Sequence, residues 1–446
     1  MALRALAFAS LSALIACGDD ASAPGGGGGG GTGGDTGASA PTGGSPATGG
    51  GGGTIDGGAA PGGNGSGASG GEGPVGGSAA LLPPACPAGT VEVGVELDCD
   101  DGPAPSSVLA QALADSTRGE LYDAGSEIGD AVCMPVRSCV SDGAPTLLFS
   151  DEPEYVDSDG VLYAEMAAPG RYRLYIYHVN DDSSPRRFTA VALNQGNMAA
   201  SLTVEKAATT APSSSYLNIG RTVAAAYYTA TGKPPQSIAP LQRVVIDSDL
   251  DALVADPGEL VHAIIELQIS GPLKISIVSV GENDDAAEVT AGLGLLPDTG
   301  LHVRGTFPLA DRLLLARHVS GLGRLRLGGD QVFDPDLKGT SFVDGIDVTL
   351  AGNFGVTYDA RIVEPGVELA LLLNPRAGAW AGAMFGSAGT DANAGLLPLP
   401  DLGLTADQSS EAIALGRYTS GISIGTKLLT AGGSSLPVHF VAMPLP

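Results

Sequence analysis

Few residues in this chain could do chemistry, and they are scattered. No two of the five histidines, His178, His262, His302, His318 and His439, fall within four positions of each other. A single helix or strand therefore cannot present a paired metal site. His262, His302 and His439 fall on the expected wet faces of their strands, where a solvated imidazole is the simplest account. His178 closes the apolar side of its strand and is expected as a hydrogen-bonded residue at the core edge. A G-x-S-x-G pattern occurs once outside the glycine-rich N-terminal stretch, at Gly421-Ile422-Ser423-Ile424-Gly425. A nucleophile elbow needs that serine on a strand-to-helix turn, followed by an acid and then a histidine. The 21 residues after Gly425 contain no Asp or Glu, and His439 lies in a strand-like stretch. Chance strand sequence is the better reading.

Two acidic runs have the alternation of hard oxygen-ligand loops. Asp157 and Asp159 flank Ser158, and Asp247, Asp249 and Asp251 repeat at every second position. Calcium is the cofactor such spacing suggests, although the second run lacks the glycine and glutamate of an EF-hand. In a chain with 49 acids, solvated acidic turns are the simpler account. Asn353, Asn374 and Arg376 are candidates for the rim of a ligand site, but Gly/Asn/Pro clusters between strands are also the ordinary signature of turns. Sugar binding would ask for aromatic platforms, for which Trp380, Tyr175 and Tyr177 are thin support. A glycosidase pair of carboxylates cannot be picked out among so many acids.

Cys86, Cys99, Cys133 and Cys139 crowd into one short stretch. Their even number in an exported chain reads as two disulfides, with three pairings open. Zinc is the weaker rival, because close C-x-x-C pairs are missing. Between Cys99 and Cys133, Ser106–Leu121 carries Val108, Leu109, Ala112 and Leu113 at one-turn spacing, which predicts a helix.

The fifth cysteine is Cys17. It follows one arginine and an apolar run from Ala5 to Ala16 that is too short to span a bilayer. Leu14-Ile15-Ala16-Cys17 resembles the lipobox of bacterial lipoproteins. That resemblance implies cleavage after residue 16, acylation of Cys17 and a partner in the membrane itself, with Gly18 at the next position favouring the outer membrane. From Gly18 to Ala80 no Lys or Arg occurs, and Ala21–Ala80 holds 28 glycines. Such a stretch cannot recover the entropy lost on ordering and is expected to be a disordered tether over 17–80. As a flexible coil it would span about 40 to 47 Å.

The elements that must position all these residues are mainly strands. Arg171–Val179 alternates Tyr172, Leu174, Ile176 and His178 against Arg173, Tyr175 and Tyr177. Leu260–Ile269 repeats the pattern, with His262, Ile264, Glu266 and Gln268 on the expected wet side. Ser213–Thr229 reads as a helix opened by capping serines. The acidic turn Glu282–Glu288 suggests a boundary, after which Val356, Tyr358, Ala360 and Ile362 alternate cleanly. Many short strands with Gly/Pro/Asp turns and one evident helix predict two β-sandwich-like units with Greek-key connections, at 147–288 and 289–446, after a small cysteine module at 81–146. Nothing shows the βαβ rhythm of a nucleotide-binding sheet.

The stretches Tyr175–Asn180, Phe188–Asn194 and Pro212–Gly220, with His302–Phe307, Gly352–Tyr358 and Leu373–Gly378, resemble an uncharacterised exported domain seen mainly in cyanobacteria. The likeness covers about 270 residues to the C-terminus and departs mildly at Phe354 and Ala377. It implies fold and export, and brings no catalytic residues.

Composition narrows the function. A net charge of −27 excludes a nucleic-acid partner, which needs the opposite sign. A hydrophobic share of 43% supports real cores. The expectation is a non-enzymatic outer-membrane lipoprotein that displays β-sandwiches for structure or for binding an envelope or extracellular ligand. A calcium- or glycan-binding adhesin is the first alternative, and an exported hydrolase with a scattered site the second.

Overall fold

A computed structural model describes residues 82–446, apart from 364, 387–394, 401–404, 422 and 431. The signal segment, Cys17 and the glycine-rich stretch lie outside the described residues. The described chain is mainly β, with four sheets. It carries two longer helices, α1 (Ser107–Asp115) and α2 (Tyr216–Thr229), and two of a single turn, α3 (Ser248–Asp251) and α4 (Ala286–Val289). No helix among the described residues is long and apolar enough to cross a membrane.

The sheets stack in pairs because each strand buries alternate side chains. A nine-stranded sheet, with Gly170–Asn180 between Leu260–Ile269 and Thr146–Ser150, faces a four-stranded sheet built on Arg186–Leu193 and Leu273–Gly281. Leu174, Ile176, Ala263, Ile265 and Leu267 fill the space between them with Phe188, Ala190, Ile275 and Ile277. A seven-stranded sheet containing Asp311–Ala316, Thr357–Ile362 and Ile424–Leu429 faces a six-stranded one containing Leu369–Pro375, Val438–Pro444 and Gly323–Leu327. Leu314, Tyr358, Ala360 and Ile362 meet Leu325, Leu371, Leu373 and Phe440 in that second core. The outward face of the nine-stranded sheet, with Phe149, Tyr175, Tyr177 and Ile264, joins this same core together with Ile219, Val223 and Tyr227 of α2.

Two sandwiches are therefore present, but the strands do not sort at residues 146 and 288. Val136–Ser141 of the cysteine stretch pairs with Asp311–Ala316, and Arg304–Phe307 pairs with Thr146–Ser150. The chain starts in one sandwich, builds most of the other, and returns. Alternation reveals which face of a strand is buried and not which distant strand it joins, so the expected units at 81–146, 147–288 and 289–446 are replaced by interleaved ones.

The disulfides close as Cys86–Cys139 and Cys99–Cys133, with Cα atoms 5.7 and 5.4 Å apart, so one pair nests inside the other. α1 ends earlier than its periodicity suggests, because Leu121–Asp123 leaves to pair with Glu411–Tyr418. The Ser106 hydroxyl accepts from Leu109 N and caps it. α2 starts late: Ser213 N donates to Leu260 O instead, and the Ser215 side chain makes no cap bond.

The wet face expected of Leu260–Ile269 is closed except at Gln268, which stays exposed. His262 is 1% exposed and Glu266 4%, because α2 and the second sandwich lie over them.

Candidate functional site

The floor of one polar cleft is set by strand register. Arg173 and Glu266 stand directly opposite one another on the covered face of the nine-stranded sheet. The Arg173 side chain is 1% exposed. Its guanidinium donates to Glu266 Oε1 at 2.7 Å, to Asp311 Oδ1 at 2.8 Å and to the Tyr227 hydroxyl at 3.0 Å. It also donates to the carbonyls of Ala310 and Gly355 at 2.9 and 3.0 Å. One side chain of the first sandwich thus fixes a loop and a turn of the second. The Tyr227 hydroxyl in turn donates to Glu266 Oε1 at 2.5 Å. Burial alone would raise the Glu266 carboxyl, but Arg173, Tyr227 and Lys206 together hold it below its ordinary value.

Above this floor opens a cleft of about 280 Å³. Arg171, two residues along from Arg173, donates to Glu205 at 3.0 Å and reaches Glu266 at 3.4 Å. The Lys206 ammonium sits 4.4 Å from the centre of the Tyr227 ring. The far wall is the register pair Phe385 and Lys427 of the seven-stranded sheet. Tyr228 lies 5.9 Å from Phe385, and its hydroxyl is buried without a hydrogen-bond partner. Four cations and two carboxylates line the space, with Thr357 and three aromatic rings. Such a lining offers charged donors, two kinds of acceptor and apolar faces, the mixture that orients a small polar ligand.

A second cluster forms where Thr146–Ser150 runs into the following loop. His302 Nε2 lies 2.7 Å from Glu154 Oε2, and its Nδ1 lies 3.5 Å from Asp151 Oδ2. The neighbouring Glu152 accepts from the backbone of Thr299 and His302, which anchors the 298–303 segment. Burial pushes the Asp151 carboxyl up to about 7, against the pull of His302. Hydrogen bonding to Asp151 raises the His302 imidazole to about 9. Ligand atoms of Asp151, Glu154 and His302 all lie within 4.8 Å of one another, so these three could hold a cation. Glu96, Cys99 and Cys133 are similarly close, but both thiols are spent in a disulfide.

The acidic runs are placed otherwise than as oxygen cages. Asp247 caps α3 through Asp249 N and Leu250 N, and Lys233 lies 2.7 Å from Asp247 and 2.8 Å from Asp249. Asp251 pairs with Arg187 at 3.1 Å and Asp159 with Arg186 at 2.5 Å, while Asp157 accepts from Ser158. The protein's own cations thus pair with Asp159, Asp247, Asp249 and Asp251, while the Asp157 carboxylate meets only Ser158.

The three rim candidates are split. Asn353 is fully buried, accepts from Leu337 N and donates to Asp334, which also accepts from Tyr358. Asn374 donates to the carbonyls of Ser409 and Glu411, and Arg376 bonds to Asn374 and Ser409. His178 is at the core edge as its pattern suggests, 2.9 Å from Ser150 Oγ and 2.7 Å from the Pro153 carbonyl. His439, expected to be wet, is 7% exposed.

Sequence reasoning missed the cleft altogether. Arg171, Arg173, Lys206, Tyr227, Glu266 and Lys427 share no motif. The one available signal was Arg173 and Glu266 interrupting the inner faces of two strands.

No known family pattern matches the chain, and no curated protein matches it. Among solved structures it is similar to a point mutant of Bacillus subtilis oxalate decarboxylase, at 11% identity over 68% of this chain and 78% of that one, with a TM-score of 0.10. A likeness at that score carries no argument about function.

Proposed function

We propose that this is an exported lipoprotein, acylated at Cys17 and carried by its glycine-rich stretch clear of the outer membrane, whose double sandwich binds a small anionic sugar rather than transforming it. The observation that carries the reading is the cleft over Arg173 and Glu266, where cations outnumber carboxylates in a chain of net charge −27. Its volume lies just under the roughly 300 Å³ at which ordinary small-molecule pockets begin. A single ring fits, or the acidic end of a longer chain. Arg171, Lys206 and Lys427 suit a carboxylate, Asp311 and Thr357 suit ring hydroxyls, and Phe385 and Tyr228 offer a face to the C–H side of a sugar.

The test is calorimetric titration of the mature protein with glucuronic acid and, separately, glucose. Glucuronic acid should bind and glucose should bind more weakly or not at all. Lys206→Ala and Lys427→Ala should each weaken the acid by about tenfold, the scale of one charge-assisted hydrogen bond. Equal affinity for both sugars, or indifference to both substitutions, contradicts the reading. The anchor is tested separately: wild type should incorporate labelled fatty acid and fractionate with the outer membrane, and Cys17→Ser should do neither.

A further inference from the structure

The outward face of the six-stranded sheet carries a second concentration of positive charge, far from any motif. Register places Arg326 opposite His439, and His439 opposite Asn374, in one row across three strands. Side chains two residues apart share a face, so Arg324 lies on the same side as Arg326, and Arg376 follows Asn374. Asn374 is committed to two carbonyls and holds Arg376 through its Oδ1 at 3.3 Å. Neither Arg324 nor Arg326 has a side-chain hydrogen bond or ion pair among the described residues, and Glu96 is the one carboxylate acting on Arg324. The His439 side chain is more than nine-tenths buried, and its Nδ1 is sealed from solvent with no partner. Burial and then the fields of Arg324, Arg376 and Arg326 push the imidazole down to about 3.

Three guanidiniums grouped around a buried, unsatisfied imidazole cost free energy twice, through like-charge repulsion and through the unpartnered ring nitrogen. Acids outnumber bases 49 to 22 in this chain, so carboxylate partners are not scarce. We propose that Arg324, Arg326, Arg376 and His439 form a binding site for a tetrahedral oxyanion, a phosphate group either free or esterified. The planar forks of the arginines match phosphate oxygens, and the dianion supplies the acceptors that the site lacks. This site is separate from the sugar cleft and stands or falls without it.

The experiment follows the thermal midpoint of the mature protein in chloride, in inorganic phosphate and in glycerol phosphate at matched ionic strength. Either phosphate should raise the midpoint of wild type by several degrees, and the rise should vanish in Arg324→Gln/Arg326→Gln. A larger rise with glycerol phosphate assigns an ester, and a larger rise with inorganic phosphate assigns the free ion. In chloride the double variant should melt no lower than wild type, because removing unpaired like charges relieves repulsion, whereas removing purely structural arginines would lower it. No phosphate response in wild type, or the same response in the double variant, overturns the proposal.

Discussion

At the scale of single residues, Arg173 is where the structure has most to lose. Among the described residues its guanidinium is the one buried cation paired with Glu266, and replacing it by leucine leaves that carboxylate only the more exposed Arg171, at 3.4 Å, as an ion-pair partner. Breaking a buried pair on one side costs about 3 to 5 kcal/mol, so Arg173→Leu should show that loss in denaturant unfolding, and Arg173→Leu/Glu266→Leu should recover much of it. His302 makes a prediction with a sign. Its folded value of about 9 exceeds the ordinary 6.5, so the stability its charge brings fades as pH rises from 6.5 through 9, and the part owed to Asp151 also fades below about 7, where that carboxyl takes up its proton. Wild type should therefore be more stable than His302→Gln near neutral pH, with the gap closing by pH 10. An unchanged gap across that range would mean that the imidazolium is not the source. His262 and His439 show why such residues resist reading from sequence. Both alternate as wet-face residues would, yet both are buried in the folded chain.

At the scale of elements, alternation was a reliable guide wherever both faces of a strand met something different. In Gly170–Asn180, Leu174 and Ile176 enter one core while Tyr175 and Tyr177 enter the other, as the pattern suggests. Helix ends were less legible, because Leu121–Asp123 and Ser213 are claimed by strand partners far away. The pairing of the four cysteines was not readable from spacing, and it follows from where Val136–Ser141 docks. Closing loops of 53 and 34 residues should contribute about 4 kcal/mol each in the chain-entropy model. Cys86→Ser/Cys139→Ser should accordingly lower stability by about 2 to 5 kcal/mol in urea, and an unchanged midpoint would show that this outer bridge does not stabilise the fold. α2 is held close by glycine: a Cβ on Gly220 would collide with the Gly432 carbonyl. Gly220→Ala should cost at least about 1 to 3 kcal/mol and loosen the wall of the cleft, seen as faster amide exchange in α2.

At the scale of the whole molecule, the mainly β class and the two-sandwich architecture were legible from composition, short alternating strands and turn residues. The interleaving of the sandwiches was not, since pairing partners lie up to hundreds of residues apart. The cleft exists because the two sandwiches pack against one another with α2 between them. Arg171, Arg173, Lys206 and Glu266 come from one sandwich, Asp311, Thr357, Phe385 and Lys427 from the other, and Tyr227 and Tyr228 from the helix between them. Two independent domains of the expected kind would have left each half of this lining on an open surface. Chemical-shift mapping of the mature protein titrated with glucuronic acid tests the binding account most directly. Resonances of Arg171, Lys206, Tyr227, Phe385 and Lys427 should move together and saturate. Saturation confined to other residues, or no shifts at all, would contradict it.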